Sequence, residues 1–238
     1  MASSKPIQHK FMERDQVVLE VTDRYRAMQH QPLRQLVFPD CQETAVIKVT
    51  TRLCKHGLLE RVPLLHRNCY FTLTPRAARL IGVSVKRTGP LGVQALPCEL
   101  AALHYVCKSS LPRQRLTSAE LAEQFPWMER SWTKSPHCNG PDSEGADCLE
   151  LLRVVLGGKP DHVARKCFSD ITRRQNNSGF LDLLAQQRFR LVIIAPTKES
   201  ASAIRLSLQN HLWPPGLSIQ LSILPQLLPM LGGIRNAT

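Results

Sequence analysis

Three helix-period segments followed at once by two short strand-period segments constrain this chain more than any other feature. Residues 15–28 carry Val17, Val18, Val21 and Tyr25 at helical spacing, which predicts one inward face and leaves Arg14, Glu20, Arg24 and Arg26 to solvent. Pro32 breaks that helix, and Leu33, Leu36 and Val37 predict a two-turn helix over 33–38 that stops at Pro39. A third helix is expected from about Thr44 to His56, with Val46, Val49 and Leu53 facing inward and Gly57 as its C-terminal stop. Residues 58–64 and 68–73 then read as strands around a turn at His66, Arg67 and Asn68. Thr74-Pro75 supplies an N-cap followed by proline at the first helical position, so helix resumes over 77–81.

Helix, short helix, helix, β-hairpin, helix is the plan of a winged helix-turn-helix domain, expected here over 11–82. The third helix of that plan enters the DNA major groove. Its predicted outer face offers Lys48, Thr51, Arg52 and Lys55, cations that pair with phosphates beside a short hydroxyl that approaches base edges. On the hairpin, Arg61, His66 and Arg67 would hold charge over a neighbouring phosphate or the minor groove. Charge points the same way. The chain has 31 Lys and Arg against 19 Asp and Glu, a formal +12, and residues 1–90 hold 15 of those cations against 7 acids. Such an excess attracts polyanions, double-stranded DNA first among them. The competing expectation is a protein-interaction scaffold, because a charged helix face is commonly just a solvated one.

No apolar run approaches the ~20 residues of a membrane span, and residues 1–10 lack the apolar stretch of a secretion signal. The expected setting is therefore cytoplasmic, with no membrane partner. Eight cysteines stand at 41, 54, 69, 98, 107, 138, 148 and 167 with no Cys-x-x-Cys. Cys54 with His56 and His137 with Cys138 have no matching second pair at zinc-finger distance, so no metal site is expected and the thiols read as small hydrophobes.

Residues 83–97 are read as a linker, because 82–97 hold three Gly, two Pro and little periodicity. An α/β domain is expected over 98–232. Residues 98–108 are helical by pattern, and Thr117-Ser118-Ala119-Glu120 matches a capping box. The polar stretch 127–147, with His137 to Asp142, reads as an exposed loop. Apolar runs at 148–156 and 190–195 read as buried strands and 216–224 as a further apolar strand, and helices are expected at 161–173, 180–187 and 198–212. The last of these would turn Ala201, Ile204, Leu208 and Leu212 inward. Strand, helix, strand in this order implies a parallel pair covered by helices.

The segment from Arg52 to Arg61, followed by Tyr70-Phe71-Thr72-Leu73-Thr74-Pro75, resembles many winged-helix regulators and in particular the replication-relaxation family of bacterial mobile-element proteins. The aromatic strand running into Leu-Thr-Pro and a helix carries most of the likeness. The resemblance implies a plasmid or mobile-element DNA-binding protein, a regulator or accessory factor in replication or transfer. It also implies a degenerate PD-(D/E)XK, restriction-endonuclease-like fold in the C-terminal half, and no bound cofactor. A homodimer on two half-sites is compatible with it, although no heptad announces an interface.

Asp142 and Glu150 are the weak catalytic candidates within that likeness. A metal-dependent nuclease would use them to hold Mg²⁺ beside a lysine that positions water. Here Leu152 stands where the lysine belongs, and Lys159 or Lys166 would have to substitute. The segment from Ile193 to Ala201, with Pro196-Thr197, looks like a strand-end segment of helicases. However, Gly157-Gly158-Lys159-Pro160 lacks the spacing and hydroxyl of a phosphate-cradling loop, and no Gly-x-Ser-x-Gly elbow is present. Binding rather than catalysis is the expected function.

Overall fold

A computed structural model of the chain describes residues 12–64, 68–108, 111–141 and 145–229, and it is a mixed α+β structure. It divides into two compact units, Met1–Leu91 and Gly92–Thr238.

The N-terminal unit holds α1 (Glu13–Tyr25), α2 (His30–Val37), α3 (Glu43–Lys55), β1 (Leu59–Pro63), β2 (Cys69–Leu73) and α4 (Pro75–Leu80). The apolar face of α1 is turned from the predicted one. Val18, Leu19, Thr22 and Tyr25 are buried with Asp15, whereas Val17 is 39% exposed. The buried charge sets that phase: Asp15 accepts from the Met12 amide at 3.3 Å and is ion-paired to Arg52 of α3, so it must sit on the inner side. Helix α3 buries Val46, Val49, Thr50 and Leu53.

At the C-terminal end of α3, Gly57 adopts φ +64°, where a side chain would be strained. Its amide bonds the Cys54 carbonyl and the Leu58 amide bonds that of Leu53, at 2.9 Å each, a Schellman closure that releases the chain directly into β1. Strands β1 and β2 pair antiparallel, Leu59 opposite Leu73 and Arg61 opposite Phe71. Met28, between α1 and α2, adds an isolated antiparallel bridge to Phe71 that the sequence reading missed. Thr74 caps α4, accepting from Ala77 N at 3.2 Å.

The stretch read as a linker is divided between the units. Residues 85–87 form a 3-10 turn in which Arg87 donates to the Asp23 carboxylate at 3.0 Å and carbonyl at 2.9 Å. The Tyr70 hydroxyl accepts from Leu91 N. Residues 95–97 already belong to the first turn of the next helix.

The C-terminal unit contains α5 (Ala95–Lys108), β3 (Gln114–Leu116), α6 (Ser118–Gln124), β4 (His137–Pro141), β5 (Asp147–Val154), α7 (Pro160–Arg174), α8 (Ser178–Ala185), β6 (Phe189–Ala195), α9 (Lys198–Leu208) and β7 (Ser218–Ile223). One sheet runs in the order β3-β4-β5-β6-β7; the β3–β4 and β4–β5 pairs are antiparallel, and the β5–β6 and β6–β7 pairs are parallel. On one face Leu149, Leu151, Leu191 and Ile193 meet Ala164, Cys167 and Ile171 of α7, Phe180 and Leu184 of α8, and Ile204 and Leu208 of α9. Helix α5 packs against β3 and β5.

Two readings of this unit are corrected. The supposed exposed loop 127–147 contains β4, a buried inner strand of the sheet. Its polar composition conceals this, since His137 is buried with only its Nδ1 bonded, to the Ser135 carbonyl at 2.8 Å, and its Nε2 has no partner among the described residues. At Gly140, a Cβ would lie 2.8 Å from the Arg113 side chain that crosses the strand. Helix α9 ends at Leu208, and Leu212, expected inward, is 93% exposed. Capping follows the sequence closely: Thr117 accepts from Glu120 N (3.2 Å) while Glu120 accepts from Thr117 N (2.7 Å), and Thr197 caps α9 through Ser200 N at 3.1 Å.

Candidate nucleic-acid interface

Because α3 buries positions 46, 49, 50 and 53, its opposite face is dictated by the helical period. Lys48, Thr51 and Lys55 lie three and four residues apart on that face, all exposed, with Thr44 and Ile47 beside them. Arg52, grouped with these residues by sequence, also carries a structural contact. Its guanidinium is ion-paired to the fully buried Asp15, leaving the side chain only 31% exposed. Arg52 lies one turn from Lys48 and from Lys55, on the flank of that ridge, and through Asp15 it ties α1 to α3.

Arg61 is exposed on β1, and its positive charge acts on both His30 of α2 and Cys54 of α3. Its strand, β1, packs against α3. His66 and Arg67 lie outside the described residues.

His30, which the sequence reading did not single out, joins α2 to α3 and to the hairpin. Its Nε2 lies 3.0 Å from the Thr50 hydroxyl, which itself donates to the Val46 carbonyl at 3.1 Å, and its ring meets Phe71 at 4.8 Å between centroids. Burial holds His30 below the ordinary histidine range; Glu43 opposes that shift and Arg61 adds to it. The only sequence signal for this role was a histidine at the first position of a short helix.

In the C-terminal unit, Glu150 is fully buried and both of its oxygens are occupied. Arg113 Nε reaches them at 3.1 and 3.3 Å, and Arg190 Nη1 donates to Oε1 at 2.7 Å. A carboxylate clamped between two guanidiniums is an architectural acid, and a cation would have to displace both. Glu150 also sits on the sheet face opposite Leu149 and Leu151, whereas Lys166 belongs to α7 on the Leu149 side. Lys159 is exposed at the start of α7. Neither lysine shares a site with Glu150. Asp142 lies outside the described residues. Among the described residues no group of three or more His, Cys, Asp or Glu gathers as metal ligands, and no helix is long and apolar enough to cross a membrane.

The eight cysteines are free; Cys138, Cys148 and Cys167 are buried, Cys41 is exposed and the others are half-buried. Burial pushes Cys167 up to about 11 and Cys107 up to about 12, so both stay as thiols. No family model, curated protein or solved structure matches the chain.

Proposed function

We propose that Met1–Leu91 is a winged helix-turn-helix module that binds double-stranded DNA. On this reading the chain is a DNA-binding regulator or accessory factor of the replication-relaxation kind, with a non-catalytic, nuclease-like C-terminal unit. The observation that carries the proposal is the solvent-facing ridge Lys48, Thr51 and Lys55 on α3, flanked by Arg61 from the adjoining strand. Lysines three or four residues from a short hydroxyl on one exposed ridge suit a groove lined by phosphates, with Thr51 placed centrally to meet base edges. The order of α1, α2, α3 and the hairpin, and the excess of cations in this unit, support the same reading. The paired state of Glu150 favours binding over hydrolysis.

The test is a fluorescence-anisotropy titration of labelled duplex DNA across a salt series with Mg²⁺ present, the DNA being recovered on a denaturing gel. The expected result is salt-dependent binding with intact DNA. Each of Lys48 and Lys55 replaced by alanine should lower the log K against log salt slope by about 0.9, and Thr51→Ala should relax sequence preference. Shortened DNA would overturn the non-catalytic reading. Absence of binding near physiological salt would leave a protein-interaction scaffold.

A further inference from the structure

The C-terminal unit contains a cleft of about 450 Å³ between the end of β5 and one side of α7. Its position follows from the fold: β5 is the first of the parallel strands, and the connection from its C-terminal end to α7 passes through Gly157 and Gly158, both at positive φ. Clefts outside the carboxyl ends of parallel strands, next to a helix start, are where α/β sheets accept anionic ligands.

The lining is cationic by construction. Helix α7 turns Ala164, Cys167 and Ile171 into the core, so His162, Lys166, Asp170 and Arg173 fall together on the side that lines the cleft. His162, Lys166 and Arg173 are exposed. Arg153 reaches in from β5 and is held there, its Nη2 donating to Asp170 at 2.5 Å and its Nη1 to the Ser135 hydroxyl at 3.3 Å. Asp170 is the only acid of the cleft lining, and its charge is already used. It also accepts from Nε of Arg174, a side chain 1% exposed and stacked over Trp132 at 4.7 Å. One carboxylate thus stands between two guanidiniums, and Lys166 and Arg173 form no ion pair among the described residues. The excess is positive and faces solvent.

We propose that this cleft binds phosphoryl groups, and that their source is the backbone of a nucleic-acid strand contacted without regard to sequence. The row from His162 to Arg173 extends about 16 Å along the helix, longer than one phosphate needs, and the lining holds no Phe, Tyr or Trp to stack a base, its one ring being the exposed imidazole of His162. Separated cations without a stacking platform fit a backbone and fit a lone nucleotide poorly. The inference stands on the C-terminal unit alone and does not require the α3 reading.

The experiment follows backbone amide shifts in the full-length, isotope-labelled chain. It is titrated separately with an eight-residue single-stranded oligodeoxynucleotide and with adenosine monophosphate, then repeated on the Lys166→Ala/Arg173→Ala variant. Both sites are exposed, so the variant should unfold at the wild-type temperature; Lys166→Gln alone is the milder control. The expected result is saturable shifts across residues 157–173 with the oligonucleotide. Both substitutions together should abolish them and lower the salt slope of single-strand binding by about 1.4. Shifts produced by adenosine monophosphate and not by the oligonucleotide would keep the phosphoryl site and overturn the backbone source. Shifts confined to α3, or no change in the variant, would overturn the proposal while leaving the N-terminal reading intact. Shifts at α7 with α3 silent would uphold the proposal, the α3 reading being decided by the duplex titration.

Discussion

In the N-terminal unit Lys48 and Lys55 of α3 face solvent and form no ion pair among the described residues, whereas in the C-terminal unit arginines are drawn inward onto acids. Arg113 and Arg190 close on Glu150, Arg153 and Arg174 share Asp170, and Arg115 pairs with Glu99. The contrast separates two uses of the same residue type. A guanidinium that completes a buried pair stabilises architecture only together with its partner, and it is no longer available to a ligand. A lysine on an exposed ridge adds little to folding and stays free to meet a phosphate. Net charge alone cannot make that distinction, and in the α7 cleft exposed cations of the C-terminal unit line a concave surface.

The contrast breaks most visibly at Glu150. Replacing it with leucine leaves the largely buried guanidiniums of Arg113 and Arg190 without their carboxylate, and the unfolding transition of the C-terminal unit in urea should lose about 3–5 kcal/mol. Replacing all three residues with apolar side chains of similar volume should recover most of that loss. A Glu150→Leu chain as stable as the parent would show that the pair is not architectural.

Acid sharpens the comparison next. His137 is fully buried and held down to about 3, chiefly by burial and then by the charge of Arg174. Its unfolded value is near 6.5, so below that pH the unfolded chain takes up a proton that the folded chain refuses. Stability of the C-terminal unit is therefore complete above about pH 6.5 and falls by about 1.4 kcal/mol per pH unit towards pH 3. Asp170 adds to the acid side of this profile. Burial acts to raise it, yet Arg174 and Arg153 outweigh burial and hold it below the usual carboxylate range. Urea midpoints measured between pH 7 and pH 4 should flatten over this interval in His137→Phe, and an unchanged slope would remove His137 from the account.

Asp15→Asn should cost the N-terminal unit about 1.5–3 kcal/mol, since it weakens a charge-assisted bond to Arg52 while the amide at Met12 keeps an acceptor. If Arg52 were instead a DNA contact, the same change would alter affinity and leave the thermal midpoint in place. The smallest stability effect belongs to Lys48→Ala/Lys55→Ala. Unfolding should stay within about 0.5 kcal/mol of the parent, while the salt slope of duplex binding falls by about 1.8.

The local signals of the sequence were read correctly wherever the relevant physics is contained within a few residues. Thr74, Thr117 and Thr197 cap the helices they precede, Gly57 ends α3, and the runs at 148–156, 190–195 and 216–224 become parallel strands. Each depends on a hydroxyl, a backbone dihedral or a run of apolar residues, and none needs a distant partner. The same holds for the ridge Lys48, Thr51 and Lys55, which follows from helical period once the buried positions are known. What the tertiary structure decided were the pairings between distant segments. Asp15 and Arg52 are 37 residues apart, as are Arg113 and Glu150, while Glu150 and Arg190 are 40 apart. No local pattern marks an arginine as spoken for. The inner strand β4 escaped detection for the same reason, because His137 and Cys138 become core residues only when Leu151 and Glu150 stand opposite them. Secondary structure is specified by short-range sterics and hydrogen bonding. Whether a charge is a structural element or a site depends on which acid the fold brings beside it.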